Sequence, residues 1–333
     1  MPRAIALFSG GLDSRLAVRV MQEQGFEVLA LNVRTIFSCC RATAARAADE
    51  LQIPLTVMDV DDDYVDVVRN PAYGYGKGVN PCIDCRIYMC RMAGRWMRQC
   101  GAEAVITGEV AGQRPMSQNK HQLEIIQRRS GLDDRLVRPL SARLLPPTLP
   151  EREGLLDRSR LYAFHGRKRR PLMVLAEQLG LRVGAAGEQE SPSTGCALTE
   201  RTFAPRVRDL LGFAPDARRW DFELLNHGRH FRSDARTKLV VGRNEVDNAM
   251  LRGMAGRADA SESLLLMPQG FAGPDVLIVG PATAAARAAA GDLMRRYAGG
   301  CDGRPLWACA ADRHGREAVL LESAPNFLTA EML

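Results

Sequence analysis

The stretch SGGLDS, residues 9 to 14, carries residue types that bind phosphate and directly follows the apolar run RAIALF. Its two glycines remove side chains that would keep an anion from the backbone, and they accept positive φ angles that let successive N–H groups converge. Its serines add hydroxyl donors, and the predicted helix that follows adds its positive N-terminal end. Asp13 is an acid in an anion site, which indicates a divalent cation such as Mg²⁺. The stretch therefore predicts a site for a phosphate-bearing ligand.

Cysteines form a second group of candidate functional residues. Cys82 and Cys85 stand in NPCIDC at the start of a predicted helix, whose positive end we expect to lower the thiol pKa, and Cys196 ends the segment STGC. Thiolates select soft metals: zinc prefers four ligands, whereas an iron–sulfur cluster held by three cysteines keeps one iron open. Cys39 and Cys40 follow the second predicted strand, and a role for them as a fourth ligand or a sulfur relay stays open. The pattern indicates metal or sulfur chemistry.

The elements that must position these residues alternate between apolar runs and amphipathic stretches. RAIALF, EVLALNV, PLTVMDV, AEAVIT and RLVRPL are typical of buried strands, and the segments between them are typical of helices, with a further helix expected over residues 151–158. This alternation predicts a parallel sheet with right-handed crossovers, in which ligands bind at the carboxyl ends of the strands. The stretch of residues 9 to 14 follows such an end.

Length and composition indicate two globular domains. The chain has 333 residues, of which 46% are hydrophobic and 25% charged. A polar, proline-containing segment marks the boundary between the two domains. We expect residues 1–204 to form an α/β domain and residues 205–333 to form a smaller α+β domain. No apolar run approaches the roughly 20 residues of a membrane span, and no secretory signal precedes the first strand, so we expect a cytoplasmic protein without a membrane partner. In that compartment its nine cysteines would stay reduced.

Basic residues are concentrated in one part of the chain. Residues 114–170 contain 14 Lys and Arg against 6 Asp and Glu, although the net charge of the whole chain is only +6. Guanidinium groups suit phosphate oxygens, so this excess predicts contact with a nucleic-acid backbone, and a solvated charged face is the alternative. The residues predicted to bind RNA are Arg128, Arg129, Arg167, Lys168, Arg169 and Arg170.

The pattern S-G-G-x-D-S after a first strand resembles the PP-loop of the ATP pyrophosphatase superfamily. With NPCIDC, AEAVITGE and STGC in this order, residues 3–200 resemble the tRNA thiouridine synthetases, above all the 2-thiouridylase branch. The resemblance implies an adenine nucleotide alpha hydrolase-like (Rossmann-like) fold, cleavage of ATP between its α and β phosphates, and transfer of AMP to a substrate oxygen. It also implies tRNA as the substrate and a sulfur donor, namely a cysteine desulfurase, a carrier or free sulfide.

The resemblance also assigns roles to individual positions. It implies an ATP site at Ser9, Gly10, Gly11, Asp13, Ser14, Asn32, Val33 and Gly108, and catalytic roles for Asp13, Cys85 and Cys196. The chain departs from the 2-thiouridylase pattern in that Cys82 stands where many members have aspartate, Glu109 replaces their histidine, and STGC lacks an intervening residue. Cluster-dependent thiolases of this superfamily hold a 4Fe-4S cluster through a cysteine pair and one distant cysteine, so we favour Cys82, Cys85 and Cys196 as cluster ligands. A persulfide mechanism on Cys85 and Cys196 and a structural zinc are the alternatives.

A second, shorter resemblance lies in the C-terminal domain. Residues 224–251 resemble the RNA-binding domain named NFACT-R through Gly228, Arg229, His230, Phe231, Lys238, Gly242, Arg243 and Asn248. The resemblance implies RNA contact by this domain. A purely structural or dimerising domain is the alternative, and a homodimer stays open.

These observations together predict an ATP-dependent tRNA uridine thiolase, which adenylates a uridine carbonyl and then transfers sulfur. A PP-loop ligase or sulfurtransferase acting on a small molecule is the nearest alternative, and it has less need of three cysteines. A non-catalytic RNA-binding protein that uses a nucleotide as a switch is a further alternative. The intact acid and serines of the loop argue against that last reading.

Overall fold

In a computed structural model the chain divides into two compact units, Met1–Thr199 and Glu200–Leu333. The structure describes residues 1–38, 41–181, 195–298, 307–312 and 315–320. None of the helices in these ranges is long and apolar enough to cross a membrane.

The described part of the N-terminal unit contains a five-stranded sheet in the order β3-β2-β1-β4-β5. The strands are β1 Arg3–Leu7, β2 Glu27–Arg34, β3 Leu55–Asp59, β4 Ala104–Thr107 and β5 Leu136–Val137. All neighbours pair in parallel, so their carboxyl ends lie at one edge of the sheet. The predicted α/β, Rossmann-like fold is confirmed, with the first strand at the centre of the sheet.

Helices connect these strands. They are α1 Leu12–Glu23, α2 Arg41–Glu50, α3 Tyr64–Arg69, α4 Cys82–Cys100, α5 Lys120–Arg129, α6 Leu149–Arg152 and α7 Arg170–Gln178. The helix predicted around residues 151–158 is present as α6, but it is shorter and lies earlier in the chain. A capping box between Thr148 and Glu151 starts α6 earlier than expected. Gly154, with a φ of +72°, then turns the chain out of the helix.

Both faces of the parallel sheet are covered by helices. Along β1, Ala4 and Ala6 are buried in one apolar cluster together with residues of α1, α2 and α7. The alternate residues Ile5 and Leu7 are buried in another cluster, together with residues of α4 and α5. A strand buried on both faces has no need of polar residues, which is why β1 is apolar from Ala4 to Leu7.

The C-terminal unit is built on an antiparallel sheet, for which the described residues give six strands in the order β11-β10-β8-β9-β7-β6. The strands are β6 Arg229–Arg232, β7 Lys238–Val241, β8 Ser263–Gln269, β9 Val276–Val279, β10 Trp307–Ala311 and β11 Arg316–Leu320. The helices are α8 Ala204–Phe213, α9 Arg219–Leu224, α10 Glu245–Ala255 and α11 Ala284–Tyr297. The predicted α+β class is confirmed for this domain.

Candidate active site

The glycine loop joins the carboxyl end of β1 to the start of α1. Gly10 has a φ of +80°, and a Cβ atom added to it would lie 2.6 Å from the backbone oxygen of Thr43 in α2. Both the backbone angle and the close approach of α2 therefore require glycine. Gly11 is the N-cap residue of α1, so the loop ends on the unpaired N–H groups of the helix. The loop thus has the form of an anion site at the mouth of the sheet.

Ser14 and Asp13 lie in the first turn of α1. The Ser14 hydroxyl donates to the carbonyl oxygen of Gly11 at 2.8 Å, which closes the turn. The Asp13 carboxylate hydrogen-bonds the side chain of Gln113, but its Oδ1 is buried without a hydrogen-bond partner in the described part of the chain. Burial raises the pKa of Asp13 above its usual value. A buried, unpartnered carboxylate oxygen beside a phosphate site fits Mg²⁺, which protein carboxylates and substrate phosphates commonly hold together.

The edge of the sheet around this loop, at the carboxyl ends of the strands, is shaped by Gly108, Asn32 and Val33. A Cβ atom on Gly108 would lie 2.4 Å from the carbonyl carbon of Asp13, so glycine lets the end of β4 lie against the first turn of α1. The Asn32 amide donates to the carbonyl oxygen of Phe8 at 2.8 Å, and Val33 packs on the apolar cluster below the sheet. Each residue has a role in the architecture, and their contacts with ATP stay predictions.

Backbone pairing brings Cys196 to the N-terminal end of α4. Ser38, after β2, and Cys196 form an antiparallel bridge. On the other side, the N–H of Val79, in the loop before α4, donates to the carbonyl oxygen of Leu198 at 3.3 Å. The segment that carries Cys196 therefore runs between the exit of β2 and the entry to α4. Ser193 and Thr194 of the STGC motif lie outside the described residues, as do Cys39 and Cys40.

The predicted thiols are half-buried. The Cys85 Sγ is 3.2 Å from the Tyr64 hydroxyl oxygen, and the Cys82 Sγ accepts from the Asn80 amide at 3.1 Å. Burial raises the pKa of Cys85 and raises the pKa of Cys196 to about 12. The expected lowering of the Cys85 pKa is therefore wrong, because burial outweighs the positive end of α4. These thiols would become thiolates on binding a cation.

The thiol site, Cys82, Cys85 and Cys196, offers three soft donors of the type that iron–sulfur clusters use. The thiols are near enough for their charges to interact with one another. Within the described residues, no group of three or more His, Cys, Asp or Glu side chains is arranged to hold a metal ion. A zinc ion needs every sulfur within about 2.3 Å of one point. A cluster bonds each thiolate to a different iron, so a wider set of three soft donors suits it.

Glu109 is buried between two arginines, and sequence reasoning missed this arrangement. The Nε of Arg138 is 3.0 Å from one carboxylate oxygen, and the Nε of Arg86 is 3.1 Å from the other. Although burial acts to raise it, the two guanidinium groups hold the pKa of Glu109 below its usual range. Because Arg86 follows Cys85 in α4 and Arg138 follows β5, Glu109 ties the cysteine helix to the sheet. A structural anchor thus stands at the position where the 2-thiouridylase pattern, which the sequence resembles, has histidine.

The variant Glu109→Gln is expected to destabilise the N-terminal domain by about 3 kcal/mol, because both arginines then keep buried charges without a counterion. A lowered folded pKa means that this contribution is fully present above the pKa of an unfolded glutamate, about 4.3, and is lost as the pH falls through the folded pKa. Wild type and variant should therefore differ most at neutral pH and converge in acid. The difference in the free energy of unfolding is measured by urea unfolding, with hydrogen exchange of peptides from the N-terminal domain as the readout.

Glu27→Gln is the matched control, since the pair of Glu27 and Arg3 is about half exposed on both sides. It should change unfolding little, because exposed pairs contribute little. Equal effects of the two variants would contradict the anchoring role of Glu109.

The residues predicted to bind RNA fall in two places. Arg128 and Arg129 lie in the last turn of α5, whereas Arg167, Lys168, Arg169 and Arg170 precede or begin α7. Arg169 lies near enough to Asp13 to oppose the rise in its pKa. Arg114, which the sequence did not single out, is an exposed guanidinium that interacts with both Asp13 and Cys82. Both arginines are thus near enough to Asp13 to lower its pKa, and the charge of Arg114 also interacts with Cys82.

The motif residues of the C-terminal domain mostly build its interior. A Cβ atom on Gly242 would lie 2.0 Å from the Asn248 side-chain oxygen, which accepts from the backbone N–H of Asp275 at 3.0 Å. Phe231 and His230 are buried, and the buried Lys238 pairs with Asp209 at 3.2 Å. Arg229 lies over the Tyr297 ring, 4.7 Å from its centroid. These motif residues therefore account for the fold of the domain, and most of them are not placed to contact RNA.

Comparison with known families agrees with both resemblances. Residues 2–131 match the family model described as the tRNA methyl transferase HUP domain. Residues 228–321 match the model described as the NFACT protein RNA binding domain. The similarity to PP-loop proteins of tRNA thiolation, which the sequence motifs predict, is thereby confirmed.

Individual relatives cover parts of the chain. The tRNA-specific 2-thiouridylase MnmA of Desulfitobacterium hafniense is 31% identical over 131 residues, which span 33% of this chain and 34% of the relative. The same enzyme of Geotalea uraniireducens is 25% identical over 209 residues, which span 56% of this chain and 52% of the relative. The chain thus spans between about a third and about half of the length of these relatives. A solved 4-thiouridine synthetase–RNA complex with bound ATP matches with 25% identity and a TM-score of 0.34, covering 42% of this chain and 37% of that one.

Proposed function

We propose that this protein is an ATP-dependent tRNA sulfurtransferase, since residues 2–131 match the tRNA methyl transferase HUP domain model and residues 228–321 match the NFACT RNA-binding domain model. The observation that carries the proposal is the juxtaposition of two chemistries at one edge of the sheet. The glycine loop follows β1, the Cys196 segment pairs with Ser38 after β2, and the charge of Arg114 interacts with both Asp13 and Cys82. ATP activation and sulfur delivery can therefore act on one bound base.

The first step activates the base. A uridine carbonyl oxygen attacks the α phosphorus of ATP, the bond from that phosphorus to the bridging oxygen of the β phosphate breaks, and pyrophosphate leaves. The bare amides of Gly10 and Gly11, at the positive end of α1, hold the departing phosphates. Asp13 would hold Mg²⁺ against them, and Arg114 and Arg169 offset the remaining negative charge.

The second step delivers sulfur. A hydrosulfide-level sulfur from the donor adds to the activated carbon, the carbon–oxygen bond breaks, and AMP leaves with the former uridine oxygen. Cys82, Cys85 and Cys196 would hold the 4Fe-4S cluster, which when bound supplies an open iron as the site of that sulfur. The half-buried position of Cys85 and Cys196 limits the access of water to the thiol site. The C-terminal domain contributes further RNA contact.

Nucleoside mass spectrometry of tRNA tests the proposal. In cells lacking the protein, we expect one thiolated uridine to disappear from bulk tRNA, and we expect a plasmid copy of the full chain to restore it. A copy carrying Gly10→Ala serves as the matched negative control, because the added methyl group would collide with the backbone of Thr43. If every thiolated nucleoside persists in the deletion strain, tRNA is not the sulfur acceptor.

A further inference from the structure

The α4–α5 arginine cluster consists of Arg91, Arg95 and Arg98 of α4 and Arg128 and Arg129 at the end of α5. All five residues are exposed. Together with Ser130 and Gly131 they line a groove of about 330 Å³. A second groove of about 450 Å³ shares two of these arginines and is lined by Tyr73, Ile125, Arg128 and Arg129. Only two of the five residues belong to the set that the sequence predicts to bind RNA.

The cluster has little negative charge of its own. Arg95 lies 3.5 Å from Asp61, and both side chains are more than half exposed. Arg91 donates to the backbone carbonyl of Arg129 at 3.1 Å, and Arg129 donates to the Tyr73 hydroxyl at 3.1 Å, so these partners are neutral. Arg98 and Arg128 form no ion pair with the residues that the structure describes. Like charges held close together in this way favour a bound anion.

Helix dipoles account for part of the cluster but not for the whole of it. Arg98, Arg128 and Arg129 lie in the last turns of their helices, where a positive charge is stabilised. Arg91 and Arg95 lie one to two turns earlier in α4, beyond the reach of that effect. Their spacing from Arg98, seven and three residues, keeps all three on one face of the helix. The face therefore forms a continuous basic stripe.

We propose that the α4–α5 arginine cluster binds the phosphodiester backbone of RNA and aligns it with the thiol site. This proposal rests on the proposed function, because a tRNA sulfurtransferase must bring its RNA substrate to the thiols. At about 1.5 Å per residue, Arg91 lies about 9 Å and Arg98 about 20 Å from Cys85 along the axis of α4. An RNA strand on the stripe therefore runs toward the helix end that carries the thiols. Tyr73 in the adjoining groove offers a half-buried ring on which an unpaired base can stack.

The lining of the groove favours RNA over an acidic protein segment. Protein interfaces have an apolar core, whereas this groove is lined by guanidinium groups, one hydroxyl and one glycine. RNA interfaces are strongly positive and wet, and planar guanidinium groups bind phosphate oxygens through two hydrogen bonds.

The double variant Arg98→Glu/Arg128→Glu tests the cluster, because neither side chain forms an ion pair with any residue in the described ranges. Binding of unfractionated tRNA to the full chain is measured by fluorescence anisotropy over a range of salt concentrations. We expect at least about tenfold weaker binding, and a slope of log K against log salt that is smaller by about 2, since two phosphate contacts are lost. Arg46→Glu/Arg143→Glu makes the same change in charge at exposed positions elsewhere in the domain and should bind within about twofold of wild type.

Equal losses in the two double variants would overturn the proposal, because net charge alone would then explain the binding. Polyglutamate serves as the alternative ligand. If Arg98→Glu/Arg128→Glu loses polyglutamate binding and keeps tRNA binding, the cluster serves an acidic protein and the proposal fails. The proposed function fails separately: a deletion strain with all thiolated nucleosides intact contradicts sulfur transfer to tRNA, even where the cluster variant shows the expected loss of tRNA binding.

Discussion

Cys85→Ser is expected to lower tRNA thiolation on the order of 10³-fold or more while leaving activation of the base within about tenfold of wild type. Serine keeps the size and a polar contact with the Tyr64 hydroxyl, which lies 3.2 Å from the sulfur, but it cannot replace a soft thiolate ligand. Single-turnover assays with purified tRNA separate the two steps. Release of pyrophosphate reports activation of the base, and nucleoside mass spectrometry reports the thiolated product.

Cys100→Ser is the matched control, since Cys100 is a half-buried thiol at the opposite end of the same helix. It should support both steps at the wild-type rate. Cys196→Ser should behave like Cys85→Ser, because bridge pairing brings the Cys196 segment to the same helix end. Full thiolation by Cys85→Ser, or a loss in Cys100→Ser of the same size, would remove the thiol site from the mechanism.

The metal content of the same proteins tests the cluster. Anaerobically purified wild type should be brown with iron absorbance, and Cys82→Ala should be colourless. Stoichiometric zinc in the wild type would overturn the cluster. Colourless wild type with intact thiolation would instead support a persulfide on Cys85 and Cys196.

The elements of the N-terminal domain were predictable because local sequence carries their signal. Strand β1 is buried on both faces, with Ile5 and Ala6 fully or almost fully inaccessible, so its sequence is apolar from Ala4 onward. The glycine loop was predictable because a positive φ angle and close backbone contacts allow only glycine, so the residue type itself marks the loop. Strand β6, Arg229–Arg232, was not predictable in this way, because three of its four residues are basic and their burial depends on other elements.

Features that arise from contacts distant in sequence were not predictable. The carboxylate of Glu109 is held by Arg86 and Arg138, which come from different elements, and no local pattern marks them as partners. The pKa of Cys85 depends on how deeply the start of α4 is buried, and helix position alone gave the wrong direction. The arginine stripe of α4 is visible as a spacing in the sequence. That this stripe and the end of α5 line the same groove could not be predicted, because it depends on how the two helices pack.

Asp13→Asn is expected to lower ATP-dependent release of pyrophosphate on the order of 10²- to 10³-fold, since the neutral amide binds Mg²⁺ poorly and the departing phosphates lose a counterion. The fold should not suffer. Because burial raises the pKa of Asp13, the ionised carboxylate costs stability at neutral pH, and a neutral side chain of the same shape removes that cost. The melting temperature of the variant should therefore equal or exceed that of wild type, measured without nucleotide.

A loss of activity with no loss of stability distinguishes a functional acid from a structural one. Asp49→Asn is the matched control, because Asp49 is an exposed carboxylate on the neighbouring helix α2 and should retain wild-type activity. A magnesium titration completes the test. Wild type and Asp49→Asn should respond to Mg²⁺ at the same concentration, whereas Asp13→Asn should need a higher one. If Asp13→Asn follows the wild-type magnesium curve, its buried oxygen does not hold the ion, and the phosphates alone must recruit it.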